Sequence, residues 1–95
     1  MRVTLDFKVY LDLLEFMECY EEEGGTDLAS AFYAEFRRYA QAVAERPYSF
    51  PAYQEYRRVN MAKFPYHFLF EVVDDSSVRI TLLRHNRRHP DFGLK

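Results

Sequence analysis

The sequence predicts an α+β fold in which an N-terminal helical hairpin packs on one face of an antiparallel sheet, in the order β-α-α-β-β-β. The apolar residues change their period twice. They alternate at the N-terminus, recur at helical spacing from residue 7 to about residue 45, and alternate again from residue 56. A chain of 95 residues has room for one core, so we expect one domain over residues 1–95.

The first strand and the first helix follow directly from this pattern. Val3 and Leu5 alternate with polar residues, which predicts a short strand. The helix then runs from about residue 7 to 23, and its predicted buried face comprises Val9, Leu13, Phe16 and Tyr20, widened by Tyr10, Leu14 and Met17. Its predicted solvent stripe comprises Asp12, Glu15, Glu18 and Glu22. Gly24 and Gly25 supply the backbone freedom that ends it.

The second helix is predicted from about Thr26 or Asp27 to Glu45. Its apolar positions at helical spacing are Ala29, Phe32, Phe36, Tyr39, Ala40 and Val43, with Glu35, Arg38 and Gln41 outside that face. Pro47 and Pro51 bound a loop rich in tyrosine and proline from residue 46 to about 54. The short polar connection between the helices predicts an antiparallel hairpin.

Three strands are predicted in the second half, over residues 56–64, 66–73 and 78–85. The segment 74–77, of sequence Asp-Asp-Ser-Ser, has the composition of a hairpin turn. A polar tail over residues 86–95 follows the last strand.

Several classes of site are excluded or disfavoured by the residue types present. Cys19 is the single cysteine and is expected to be a small packing residue. His67, His85 and His89 do not share a metal-binding spacing, and no glycine-rich phosphate loop is present, so we expect no metal and no cofactor. No apolar stretch is long enough to cross a membrane, and the first residues lack a signal-peptide pattern, so a cytoplasmic location is expected.

Charge is divided unevenly along the chain. Residues 1–56 carry 5 basic and 11 acidic residues, whereas residues 57–95 carry 8 basic and 4 acidic residues. The C-terminal part contains the cluster Arg84, His85, Arg87, Arg88 and His89, and Arg57, Arg58 and Lys63 lie on a strand expected nearby. Arginine can hold phosphate or carboxylate, and histidine can transfer protons, so this surface fits an anionic partner or RNA cleavage. A solvated basic surface without a partner fits the charge pattern equally well.

The order of these motifs resembles the ParE/RelE superfamily of toxins from type II toxin–antitoxin modules, which are also called plasmid-stabilisation proteins. The residues that carry the resemblance are Asp12-Leu13 with Phe16 and Tyr20, the run Phe64-Pro65-Tyr66 through Val72, and the ending His85-Asn86-Arg87-Arg88-His89-Pro90. They cover nearly the whole chain in order. The resemblance implies a growth-inhibiting toxin that is neutralised by a cognate antitoxin.

Two activities are implied by the two branches of the superfamily. ParE-like members inhibit DNA gyrase by protein contact, without chemistry of their own. RelE-like members cut mRNA on the ribosome, and here Arg58, Lys63, Arg84 and Arg88 would hold phosphate while His85 or His89 acted as acid. The net charge of −2 and the lack of a tyrosine after Tyr66 favour the ParE branch.

The partner surface expected on the ParE interpretation comprises Arg57, Arg58, Arg84, His85, Arg87 and Arg88. The acidic first helix would not attract an acidic antitoxin, which places the expected contact on the sheet side. A degenerate member that binds a partner without toxicity is a third interpretation. A homodimer of the isolated chain is also possible, through apolar surface that an antitoxin would cover.

Overall fold

The computed structural model describes residues 1–86, which form a five-stranded sheet with helical structure packed on one face. The elements are β1 (Arg2–Leu5), α1 (Phe7–Glu45), a 3-10 turn (Pro47–Ser49), β2 (Ala52–Tyr53), β3 (Tyr56–Asn60), β4 (Tyr66–Asp74) and β5 (Ser77–His85). The strand order is β1-β5-β4-β3-β2. The predicted α+β class is confirmed.

The sheet is mixed, which corrects the prediction of a wholly antiparallel sheet. β1 pairs in parallel with β5, with Val3 opposite Val78 and Leu5 opposite Ile80, whereas the other neighbouring strands are antiparallel. β1 and β5 are far apart in sequence, because α1 and the strands β2, β3 and β4 lie between them. Such a long connection permits two strands to pair in parallel. The predicted tyrosine and proline loop also contains the short edge strand β2.

α1 bends back on itself at Gly25, where the backbone adopts φ 81° and ψ −176°. A straight helix of 39 residues would be about 58 Å long at the usual rise, which exceeds the longest dimension of the molecule, 40 Å. The two arms, residues 7–24 and 26–45, fold together so that the rings of Tyr20 and Phe32 lie 5.2 Å apart. The predicted helical hairpin is therefore confirmed, with glycine as its hinge.

The core lies between the two arms and one face of the sheet. From β4, Tyr66, Phe68 and Phe70 point towards the helices, and Phe36 packs on Phe68 with ring centroids 5.3 Å apart. The predicted core positions of the second arm are confirmed as buried or half-buried. Tyr10 and Leu14, in contrast, are 46% and 45% exposed, because the first arm rests on the sheet through a narrow face centred on Val9 and Leu13.

Glu35 is buried, although its position outside the apolar stripe predicted exposure. The strand predicted over residues 56–64 ends at Asn60, and the backbone then turns across the second arm. The amides of Ala62 and Lys63 donate to Glu35 Oε2 at 3.2 and 2.8 Å. The turn covers this carboxylate, leaving Glu35 2% exposed, and Oε1 accepts no hydrogen bond from residues 1–86.

The β4–β5 hairpin turn forms where it was predicted. One Asp74 carboxylate oxygen accepts hydrogen bonds from the Ser76 amide at 2.9 Å and from the Ser77 hydroxyl at 2.9 Å. These donors stabilise the ionised carboxylate, and the backbone bond from Ser76 contributes most to lowering the pKa of Asp74 below its usual value. Within residues 1–86, no helix has both the length and the apolar character needed to cross a lipid bilayer.

Replacing Gly25 with alanine tests the hinge. The φ and ψ angles of Gly25 lie in a region open essentially to glycine alone, so we expect the free energy of unfolding to fall by about 1–3 kcal/mol. Gly24→Ala is the control with helical backbone angles; its added Cβ would meet the Leu28 side chain, 2.7 Å from Cδ2 and 3.1 Å from Cβ, so we expect a smaller loss from displacing that side chain. Urea unfolding monitored by circular dichroism measures both variants, and equal losses would contradict the hinge assignment.

Glu35→Ala tests the buried carboxylate. The substitution leaves two backbone amides without their acceptor and removes a packed side chain, so we expect a loss of about 1–3 kcal/mol in the free energy of unfolding. Glu22→Ala, on the exposed surface of the first arm, should change stability by less than about 0.5 kcal/mol. A Glu35→Ala protein as stable as the parent would show that the turn does not depend on this carboxylate.

Candidate partner-binding face

The sheet has a second face, here called the open face, which points away from α1. Side chains alternate along each strand, so the residues next to those of the core occupy this face. From β3, β4 and β5 it receives Arg58, Asn60, His67, Leu69, Glu71, Arg79, Leu82 and Arg84. Positive and polar groups surround a short apolar centre formed by Leu69 and Leu82.

Three residues cross the open face in one row, with Asn60 opposite His67 and His67 opposite Arg84. Arg58 lies two residues from Asn60 on β3, and its Nε donates to Asn60 Oδ1 at 3.0 Å. The Cα atoms of Arg58 and Arg84 are about 12 Å apart by the usual strand spacing and rise. Two guanidinium groups therefore flank His67 at this end of the sheet.

His67 is buried, with 7% of its surface exposed. Its Nδ1 lies 2.6 Å from Asn86 Oδ1, and the Asn86 amide donates to the Pro65 carbonyl at 2.8 Å. With Asn86 Oδ1 as the acceptor, Nδ1 is the donor in this contact. The pair fixes the end of β5 against the start of β4. No functional role was predicted for His67, although its position next to the core residue Tyr66 indicates that it faces the other side of the sheet.

Arg57 and His85 lie on the helix-facing side of the sheet, opposite Arg58 and Arg84. Arg57 donates to the Phe50 carbonyl at 2.7 Å and lies 5.1 Å from the centre of the Tyr48 ring. The His85 ring packs edge-on against Tyr66 at 4.9 Å. The proposed partner set is thus divided between two faces because adjacent strand residues alternate. Arg87 and Arg88 lie outside the described residues.

The residues expected for RNA cleavage are also dispersed. Lys63 lies in the turn between β3 and β4, where its amide binds Glu35, and it is not on a strand as predicted. Arg58 and Arg84 share the open face, but His85 does not. Arg88 and His89 fall outside the described residues. The described part of this set therefore does not bring an acid group beside the two phosphate-binding candidates.

At the end of the open face away from His67, positive and negative side chains lie close together. Arg79 Nη1 lies 3.7 Å from Glu71 Oε2, so one arginine is matched by one carboxylate. On the three strands β3, β4 and β5, the positive charge without a carboxylate partner is therefore that of Arg58 and Arg84, while Arg2 on β1 adds one more at the far end. Such a charge distribution suits contact with carboxylates or phosphates.

Cys19 is exposed, contrary to the expectation that it is a packing residue. It lies on the side of the first arm, away from the face that contacts the sheet through Val9 and Leu13. Within residues 1–86, no group of three or more histidine, cysteine, aspartate or glutamate side chains could hold a metal ion.

Comparisons with known proteins identify the fold. No protein-family profile matches the chain, and no curated protein matches it in sequence. Among solved structures, a chain of one described as "Chromosomal ParDE TA system from P. aeruginosa" is similar to this chain with a TM-score of 0.76. The similarity covers 90% of this chain and 95% of that chain, at 13% sequence identity. The ParE-like fold implied by the sequence motifs is confirmed.

Two adjacent arginines allow a test of the division between the faces. Arg57→Ala removes a half-buried guanidinium that binds a backbone carbonyl, so we expect the free energy of unfolding to fall by about 1–2 kcal/mol. Arg58→Ala should lower it less, by under about 1 kcal/mol, because its guanidinium bonds to the side chain of the exposed Asn60 and lies 5.9 Å from the centre of the Tyr53 ring, with no backbone partner among the described residues. Thermal and urea unfolding measure the difference, and a reversed order of the two losses would contradict the face assignment.

Proposed function

We propose that this chain is a ParE-like toxin of a type II toxin–antitoxin module, which inhibits growth by binding DNA gyrase and is neutralised by a cognate antitoxin in the cytoplasm. The observation that carries the proposal is the likeness to a chain of a ParDE toxin–antitoxin system over 90% of this chain. The sequence motifs that resemble the same superfamily support it independently.

The open face is the proposed contact surface for the protein target. Arg58 and Arg84 present guanidinium groups on either side of His67, and the half-buried Leu82 supplies apolar contact beside them, next to the buried Leu69. An interface of this composition suits a protein surface with carboxylates, since arginine pairs with carboxylate in two-pronged geometry. Arg57 and His85 would support the sheet from behind rather than touch the target.

Protein binding is favoured over RNA cleavage by two observations. The chain has a net charge of −2, whereas proteins that bind RNA-rich particles rely on neutralising many phosphates. His85 packs against Tyr66 on the face opposite Arg58 and Arg84, so the candidate acid and the candidate phosphate ligands point in different directions.

A RelE-like mRNA endonuclease is the second candidate. The observation that favours it is the position of the His67 imidazole between Asn60 and Arg84 on the open face, with Arg58 nearby. Guanidinium groups beside an imidazole are suited to phosphate chemistry. The bond from His67 to Asn86 would orient that imidazole.

Induction of the chain alone in bacteria, with a DNA-damage reporter beside growth, tests the proposal. We expect arrested growth with the reporter on, because poisoned gyrase leaves broken DNA. The double substitution Arg58→Ala/Arg84→Ala should restore growth by removing the two guanidinium groups of the open face. The matched control is Arg37→Ala/Arg46→Ala, which removes two exposed arginines elsewhere and should remain toxic.

The other outcomes discriminate among the alternatives. Arrest with the reporter off, together with cleaved mRNA on the ribosome, would replace gyrase binding with the RelE-like activity. With folding checked, His67→Ala should then abolish cleavage if the imidazole of the open face is the acid, whereas loss in His85→Ala alone would assign the acid to the helix-facing side. Normal growth with folded protein would overturn both toxin activities and leave a partner-binding protein without toxicity.

A further inference from the structure

A cavity of about 370 Å³ lies between the first helical arm and the ends of β4 and β5. Three aromatic rings, those of Phe16, Tyr20 and Tyr66, form much of its wall. The Phe16 and Tyr66 ring centroids are 4.8 Å apart, and those of Tyr20 and Tyr66 are 6.2 Å apart. The His85 ring, edge-on to Tyr66, closes the end of the cavity.

Two carboxylates belong to the same cavity. Glu15, Cys19 and Glu23 follow each other at intervals of four residues, which places them along one side of the first arm. Both glutamates are exposed, and neither forms an ion pair with any residue from 1 to 86. The small side chain of Cys19 leaves the space between them open towards the rings.

Aromatic faces and carboxylates share an affinity for one class of group, the organic cation. A guanidinium or ammonium group is attracted to the electron-rich faces of phenylalanine and tyrosine rings, and a carboxylate at the rim adds a charged hydrogen bond. The volume is at the lower end of the range for small-ligand pockets, which suits a group of side-chain size. An anion would meet two negative charges at the entrance.

The surface beside the cavity indicates where the cation comes from. Phe7, Tyr10, Leu11 and Leu14 form an exposed apolar patch on the same arm, with Phe7 71% exposed. Leu11 is four residues before Glu15, so the patch continues along the arm into the cavity. About 12 Å separates Leu11 from Cys19 at the helical rise. A free metabolite small enough for the cavity would not contact that apolar patch.

We propose that the cavity formed by Phe16, Tyr20, Tyr66, Glu15 and Glu23 binds an arginine or lysine side chain of a partner protein, whose neighbouring apolar residues cover the patch around Leu11. The proposal does not depend on the toxin assignment. It adds to the open face a second contact surface of opposite charge, on the other side of the molecule. The partner segment carries an apolar residue and a basic residue about two helical turns apart.

Nuclear magnetic resonance titration of the whole chain with arginine amide tests the cation site. We expect the ring resonances of Phe16 and Tyr20 to shift and saturate, because the guanidinium lies against these half-buried rings, and those of Tyr66, which is 6% exposed, to shift less. Both arginine amide and citrulline amide are used with the α-amino group acetylated, so that the citrulline derivative has nearly the same shape without a positive charge and should produce no saturating shift. Glu15→Gln/Glu23→Gln should weaken arginine amide about fivefold or more, whereas Glu21→Gln/Glu22→Gln, which makes the same charge change on the same arm, should not.

A second titration identifies the source of the cation. A helical peptide with leucine and arginine two turns apart should bind more tightly than arginine amide and lose that advantage with Leu11→Ala. Spermidine that binds as tightly as the peptide, with no effect of Leu11→Ala, would overturn the protein-borne side chain. Equal shifts with citrulline amide, or unchanged affinity in Glu15→Gln/Glu23→Gln, would overturn the cation site itself, whatever the growth experiments show.

Discussion

The hydrogen bonds from the amides of Ala62 and Lys63 to the Glu35 carboxylate determine which residues of β4 face the core. They end β3 at Asn60 and hold the turn against the second arm, so that β4 begins at Tyr66. From that start, alternation sends Tyr66 into the core and His67 to the open face. A shift of one residue here would exchange every side chain of β4 between the two faces. The positions of Arg58 and Arg84 relative to His67 depend on the same register of β4.

The bend at Gly25 has the corresponding role for the helical layer. It lets the two arms of α1 cover one face of the sheet, with Tyr20 and Phe32 in ring contact between them. The first arm is left with one side against the core and the others towards solvent. The exposed apolar patch and the carboxylates of the cavity both occupy this outer surface. The molecule thus offers a basic sheet face and an acidic helical face, as the uneven charge along the chain suggested.

Hydrophobic period predicted the elements, since it depends on local spacing that the sequence displays. The helices, the β4–β5 turn and the core of the second arm were predicted correctly for this reason. The period does not predict which segments distant in sequence pack against each other. Glu35 was assigned to solvent because the turn that buries it comes from 27 residues away. The parallel pairing of β1 and the exposure of Cys19 likewise depend on packing between distant segments. The predicted partner set grouped Arg57 and His85 with Arg58 and Arg84, whereas strand alternation divides these four residues between two faces.

Arg57 and Arg58 are adjacent arginines with different structural roles, so we expect them to differ in their tolerance of substitution. Arg57 is held by a backbone carbonyl and a tyrosine ring, so selection for folding would preserve it regardless of the partner. Arg58 lies on the open face, where it contacts only the side chains of Asn60 and Tyr53 among the described residues, so it can be replaced as a partner surface changes. We expect relatives that bind a different target to keep Arg57 and to vary Arg58. Comparing the two positions among such relatives would therefore report a change of partner.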